Sequence, residues 1–295
     1  MIRTPLDKSE VERGETSLPV QVVDISAARE AFLSSVEAGP AIMGIVNVTP
    51  DSFSDGGLFT SPHTALAQAR KLVADGACIV DVGAESTRPG HTPVSAEEEW
   101  ERLRPLLATL VGQAGAPVSI DTYKAETARR ALRTGVAVVN DVWGLRRDPA
   151  MASVIAEAGA AVVIMHNRDT VDAEVDIVSD MLGFFERSLD LARRAGIPRR
   201  HILLDPGVGF GKSREQNYQA LRAIPELLLF GCPLLIGVSR KTIFRDLPDG
   251  LIEGRLVGTL AANVFAASLG ARVFRVHDAL EHKTAFAVMA AMKPR

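Results

Sequence analysis

The sequence predicts an α/β protein of the (β/α)8 TIM-barrel class, a single domain with a short N-terminal extension. Three observations predict it. Eight short apolar runs recur along the 295 residues, helical patterns separate them, and polar side chains gather at the C-terminal ends of the runs. The runs are AIMGIVN (41–47), CIVDVGAE (78–85), PVSIDT (117–122), VAVVND (136–141), AVVIMH (161–166), HILLDPG (201–207), PLLIGVS (233–239) and RVFRVH (272–277). Each is continuous in hydropathy rather than alternating, as strands buried on both faces of a parallel sheet require. The first and last runs begin at residues 41 and 272. That spacing is about 33 residues per repeat, enough for one strand and one helix. A doubly wound open sheet is the main rival. It needs no eighth unit, and no glycine-rich dinucleotide fingerprint follows the first run.

The elements follow in order. Residues 1–40 form the extension, a loose polar arm and then a short helix around ISAAREAFLSSVEAG (25–39); residues 41–295 form the barrel. TALAQARKLVADG (64–76) has helical spacing and stops at Gly76. ETARRALRTG (126–135) ends on Gly135 as a C-cap, and VSDMLGFFERSLDLARRAG (178–196) is closed by Gly196 and then Pro198. Two long connections, VTPDSFSDGGLFTSP (48–62) and STRPGHTPVS (86–95), follow the first and second strands. Loops of this length in a compact barrel act as lids. Gly56 and Gly57 give the first of them conformational freedom. Phe53 is placed to cover an aromatic ring, and Arg88 to reach inward on closure.

Composition narrows the function classes. The chain is 47% hydrophobic and 23% charged, with a formal net charge of -3 and a pI of about 6.1. No block of like charge points to nucleic acid or a membrane surface. No run of about 18 apolar residues exists to span a bilayer, and MIRTPLDKSEVERGETS lacks the apolar core of a signal peptide. Two cysteines, Cys78 and Cys232, argue against a disulfide framework. A soluble cytoplasmic protein is expected.

The candidate site lies where the strands end. Asn47, Asp81 with Glu85, Asp121, Asn140 with Asp141, His166, Asp205, Ser239-Arg240-Lys241, and Arg275 with His277-Asp278 close the eight runs in turn. That face of a barrel is where active sites are built. Asp121, Asn140, Asp205 and Lys241 combine two carboxylates, an amide and a cation. This set suits a flat heterocycle such as a pterin, whose 2-amino-4-oxo edge offers a carboxylate two parallel N–H groups. Burying such a ring without partners costs roughly 1–3 kcal/mol per unpaired group. A plain ion pair between Asp205 and Lys241 is the structural alternative. Arg275 and His277 suit an anion, and Asn47 offers an oxygen to a hard cation, so a diphosphate with Mg²⁺ fits. Capping or surface salt bridges are the alternative there. His166 reads as a core or rim histidine, and His63 and His91 as solvent-exposed. GVGFGKS (207–213) imitates a phosphate-binding loop, but only three residues separate Gly207 from Gly211. Lys212 is left without a role.

The strings GIVNVTPDSFSDGG, DVGAESTRPG, SIDTYKA, VNDVWG, IMH, LDPGVGFGK, GVSRKT and FRVHD run in order from residue 44 to 278. Together they closely resemble the dihydropteroate synthase family, the folate-pathway enzymes that sulfonamides inhibit. The resemblance implies a pterin held by Asp121, Asn140, Asp205 and Lys241. It implies a diphosphate held by Asn47, Thr87, Arg88, Arg275, His277 and Asp55, with Mg²⁺ on Asn47. It implies 4-aminobenzoate against Phe53, Thr87, Pro89, Phe210 and the stem of Lys241, its carboxylate meeting Thr242 at an expected helix start. Lys241, Asp205, Arg275 and His277 would carry the chemistry. A homodimer formed through exterior helices is implied as well. Asn167-Arg168-Asp169 after IMH, and Ala84 before Glu85, depart from the family pattern. No insertion of the kind expected to bar sulfonamides is seen in the STRPG or NVTPDSF region. A pterin-binding methyltransferase and a non-catalytic pterin-binding barrel are the alternative readings.

Overall fold

A computed structural model describes residues 24–47, 61–85, 93–244 and 252–292. Eight parallel strands form one sheet in the order β6-β5-β4-β3-β2-β1-β8-β7. They are β1 (Ala41–Asn47), β2 (Ile79–Gly83), β3 (Val118–Asp121), β4 (Val138–Asp141), β5 (Ala161–Met165), β6 (Ile202–Asp205), β7 (Leu235–Ile236) and β8 (Val273–Val276). A bridge between Leu204 and Leu234 joins β6 to the β7 segment and completes the ring. The barrel matches the sequence expectation, and every run supplies its strand. The seventh is shorter than PLLIGVS implied. Only Leu235 and Ile236 keep the ladder with β8, in register with Val273 and Phe274, and the chain turns away at Gly237 toward the rim.

Ten helices are described: α1 (Ser26–Ala38), α2 (Pro62–Ala74), α3 (Ala96–Leu110), α4 (Ala125–Arg133), α5 (Met151–Ala158), α6 (Ile177–Ala195), α7 (Arg214–Arg222), α8 (Ile224–Leu228), α9 (Ile252–Ser268) and α10 (Ala279–Ala291). Their starts are written locally. Ser61 precedes Pro62 and accepts from the Thr64 N–H, Ser95 accepts from Glu98, and Ser213 with Gln216 forms a reciprocal capping box. Gly196 ends α6 at φ 88°, a left-handed position that favours glycine.

The core is continuous between the strands and their outer helices. Helix α1 is part of it, through Phe32, Leu33 and Val36. Its Arg29 donates to the carbonyl of Gly159 just before β5, and its Glu30 lies beside Arg200 and His201 just before β6. The helix therefore lies at the N-terminal ends of the strands, opposite the polar rim. The sequence placed a short helix here within a loose extension; its buried face joins it to the barrel.

Candidate active site

Strand register brings the polar groups to one end of the barrel. Asp121 stands level with Asn140, Met165 with Asp205, Met43 with Arg275, and Ile45 with Asp81. Gly44 faces outward, since a Cβ there would meet Leu72 and Ala77; alternation along the strand then turns Asn47 inward. Asp81, Asn140 and Asp205 are buried, and Asp121, Arg275, Lys241 and Asn47 are half-buried.

Arg275, Asp81, Asp121 and Asn140 form one hydrogen-bonded network across the barrel interior, and Asp205 and Lys241 are held separately by the loop after β6. Arg275 donates from Nε to Asp81 Oδ2 at 2.6 Å and from Nη2 to Asp121 Oδ2 at 2.8 Å. Asn140 Nδ2 donates to the same Asp81 oxygen at 3.2 Å. Asp205 Oδ1 accepts the Gly207 N–H at 2.7 Å. Lys241 Nζ donates to the Val208 carbonyl and sits 4.4 Å above the centre of the Phe210 ring. Among the described residues, Asp205 and Lys241 form no direct ion pair, so the plain structural alternative for them fails. Three acceptor oxygens, Asp81 Oδ1, Asp121 Oδ1 and Asn140 Oδ1, are buried with no hydrogen-bond partner. Native interiors rarely leave such groups unmatched, and three at one rim describe a place that receives N–H donors.

Electrostatics follow from the burial. It pushes the Asp121 carboxyl up to about 7, against the pull of Arg275. It raises Asp205 as well, with Lys241 opposing. It lowers the Lys241 ammonium to about 8, with Asp205 opposing. Burial alone would lower Arg275, but Asp81 and Asp121 hold its pKa above the usual value. His277 is oriented by Ser239, whose hydroxyl accepts the His277 backbone N–H at 3.2 Å and lies 2.9 Å from Nδ1. Next to it, Arg240 takes a left-handed φ of 55° and pairs with Asp278. The strain lies at the turn that presents Lys241.

The loop after β6 answers the phosphate-loop resemblance. Gly207, Gly209 and Gly211 all have positive φ. A Cβ on Gly207 would lie 1.8 Å from the His166 carbonyl oxygen, and one on Gly211 would lie 2.4 Å from that of Arg168. Lys212, given no role from the sequence, is a buried tether. Its Nζ meets His166 Nδ1 at 2.7 Å, the Gly207 carbonyl at 2.9 Å and the Phe210 carbonyl at 3.1 Å. Burial lowers its pKa to about 7, and burial and Lys212 lower that of His166 to about 2. His166 is thus a neutral core histidine, its Nε2 donating to Asp180 at 3.1 Å. His63 is exposed.

Other expectations divide. Thr242 opens a three-residue 3-10 turn, Thr242–Phe244, and is exposed. The expected helix start at Thr242 is therefore met by a 3-10 turn, and residues 245–251, where it would continue, lie outside the described residues. Phe53, Asp55, Thr87, Arg88, Pro89 and His91 lie outside the described residues. Sequence reasoning noted Asp81 at a strand end but gave it no ligand. The signal was present: a charge inside the continuous run IVDVG, all of it buried.

The profile of the pterin binding enzyme family matches residues 43–277. The dihydropteroate synthase of Clostridium beijerinckii is 41% identical over 245 residues, 83% of this chain and 91% of that one. Dihydropteroate synthase from Clostridium difficile, solved in the presence of pteroic acid, superposes with a TM-score of 0.83 at 45% identity, covering 87% of this chain and 98% of that one. The Xanthomonas albilineans enzyme with 4-aminobenzoic acid gives 0.82 at 42% identity, covering 87% and 94%. The Yersinia pestis enzyme in a sulfonamide drug complex gives 0.80 at 37%, covering 86% and 94%.

Proposed function

The chain belongs to the pterin binding enzyme family, and we infer from that premise the reaction its rim performs. It is a transferase that joins 6-hydroxymethyl-7,8-dihydropterin diphosphate to 4-aminobenzoate, giving 7,8-dihydropteroate and diphosphate in folate biosynthesis. One observation carries the reading: three buried acceptor oxygens without partners beside Asp205 and Lys241. Methyl transfer, or pterin binding without chemistry, is not favoured by relatives of this identity and coverage.

The site supports a division of labour. Asp121, Asn140, Asp205 and Lys241 hold the pterin. The bond between the pterin methylene and the diphosphate oxygen breaks, and its electron pair leaves with the diphosphate. The carboxylates Asp121 and Asp205 favour the positive charge left on the pterin. Arg275 and His277 stabilise the departing anion, with Asn47, Asp55, Thr87 and Arg88 completing its shell. The aniline nitrogen of 4-aminobenzoate then attacks the methylene and loses a proton. Phe53, Thr87, Pro89, Phe210 and the Lys241 stem flank its ring, and Thr242 offers its carboxylate a hydroxyl. Phe53, Asp55, Thr87, Arg88 and Pro89 are assigned by motif alone.

Mg²⁺ fits as an ion that arrives with the diphosphate. Asn47 offers a neutral oxygen, and among the described residues no cluster of three His, Cys, Asp or Glu could hold a metal alone. When bound, the ion draws off negative charge on the leaving group.

A homodimer is supported by Val257 and Phe265 on α9 and Val288 and Met292 at α10, all left exposed. Sedimentation at twice the chain mass is expected; the mass of one chain at micromolar concentration would reject it. A cytoplasmic location is in keeping with two unpaired cysteines and with the absence, among the described residues, of a helix long and apolar enough to cross a membrane. Calorimetric titration with the pterin diphosphate tests the site. Binding is expected in the native chain and lost in Asp205→Ala; equal affinity in both would reject the assignment. A sulfonamide is expected to inhibit in competition with 4-aminobenzoate, and a flat response at high drug concentration would contradict that.

A further inference from the structure

We propose that Asp81 is a positioning residue for this reaction, fixing Asn140 where it meets the pterin and Arg275 where it meets the diphosphate; the proposal rests on the function inferred above. Asp81 has no exposed surface and lies in the middle of β2, among Ile79, Val80, Val82 and Gly83. A carboxylate there is costly unless it is paired. Its Oδ2 is doubly engaged, by Arg275 Nε from β8 at 2.6 Å and by Asn140 Nδ2 from β4 at 3.2 Å. One oxygen thus ties together two site groups whose strands are separated by β1, β2 and β3.

Each contact settles an orientation. An asparagine amide has a donor end and an acceptor end. With Nδ2 committed to Asp81, the Asn140 Oδ1 is left as a buried acceptor without a protein partner. Reversed, the amide would present a donor to a ring edge that also donates. Arg275 is gripped on one edge at two points, Nε by Asp81 and Nη2 by Asp121. Two contacts fix the plane of a guanidinium, whereas one leaves it free to swing. Asp81 also sets the charge of the wall. With it, three carboxylates (Asp81, Asp121, Asp205) face two cations (Arg275, Lys241). The excess is negative, the sign that favours a cationic intermediate. Without Asp81 the wall is neutral.

The charged groups acting on Asp121 are Arg275 on β8, Asp81 on β2, Glu99 on α3 and Lys241 beyond β7. Replacing Asp81 by Asn removes one negative neighbour and turns Arg275 wholly toward Asp121. Both changes favour the Asp121 carboxylate, so any acid limb it sets moves to lower pH. A residue needed only for folding would lower the melting temperature and leave that limb in place.

The test compares Asp81→Asn with the native enzyme in steady-state kinetics across pH. Expected are a fall of about 100-fold in kcat/KM for the pterin diphosphate, as a displaced site group produces, an unchanged KM for 4-aminobenzoate and an acid limb at lower pH. In Arg275→Lys, the further change Asp81→Asn is expected to cost much less than it does alone, because Asp81 acts through Arg275. Native kcat/KM with an unmoved limb in folded Asp81→Asn would overturn the proposal. Should that variant not fold, proton exchange at Arg275 in native enzyme labelled with ¹⁵N-arginine decides. A slowly exchanging Nε–H is expected; rapid exchange overturns the proposal. If the native enzyme turns over neither substrate, the function inferred above fails, and the exchange measurement still reports on the Asp81 contact.

Discussion

Asp121 holds a carboxylate where ionisation is costly. Burial raises its pKa from 3.8 to about 7, with Arg275 pulling the other way. A raised carboxyl stabilises the fold fully below its unfolded pKa, and that contribution is lost as pH rises through the folded value. At neutral pH the empty site therefore carries a charge that a pterin donor edge relieves. The ionised form is the one that accepts two N–H groups. Accordingly kcat/KM for the pterin substrate is expected to fall about tenfold per pH unit below about pH 7; a profile flat to pH 5 would contradict this role. Asp121, Asn140, Asp205, Lys241 and Arg275 were legible in the sequence because each closes an apolar run, which only a functional rim explains for so many strands. Asp81 was not assigned, since its meaning depends on Arg275, 194 residues away. Lys212 was dismissed for a similar reason. A lysine among glycines reads as exposed until its partner His166, 46 residues away, is known.

The loop from Asp205 to Ser213 shows how an element delivers a site. Asp205 ends β6, the Gly207 N–H returns to hold its carboxylate, and the glycines let the backbone pass against His166 and Arg168. Lys212 then pins the Gly207 and Phe210 carbonyls from beneath. Replacing Lys212 by Met leaves these acceptors buried and unpaired. A stability loss of about 3 kcal/mol is expected in denaturant titration, together with a several-fold rise in KM for 4-aminobenzoate as Phe210 shifts. An unchanged midpoint would show that the tether carries no weight. The clamp in this stretch was not legible, because glycine spacing reports conformational freedom and not what the backbone approaches. The seventh strand was overextended for a related reason. PLLIGVS is apolar throughout, yet beyond Ile236 the chain leaves the ladder to reach Ser239 and the left-handed Arg240.

Across the whole molecule, stability and chemistry occupy opposite ends of the barrel. Helix α1 lies at the N-terminal ends of the strands with Phe32 fully buried, while the polar groups share the C-terminal rim. Phe32→Ala is expected to lose about 3–5 kcal/mol of stability while kcat/KM at low temperature stays near the native value. A large kinetic loss in the folded variant would show that the two ends are coupled. The barrel itself was legible from eight buried runs. The membership of α1 in the core was not, because ISAAREAFLSSVEAG is mixed in polarity and its burial depends on which strand ends lie beneath it. The most direct measurement is turnover with both substrates present, following diphosphate release and dihydropteroate formation together. Equal amounts of the two products are expected, dependent on 4-aminobenzoate, and lost by at least about 100-fold in Asp205→Ala and Lys241→Ala with folding intact. Diphosphate released without dihydropteroate, or near-native rates in both variants, would contradict the site and the reaction assigned to it.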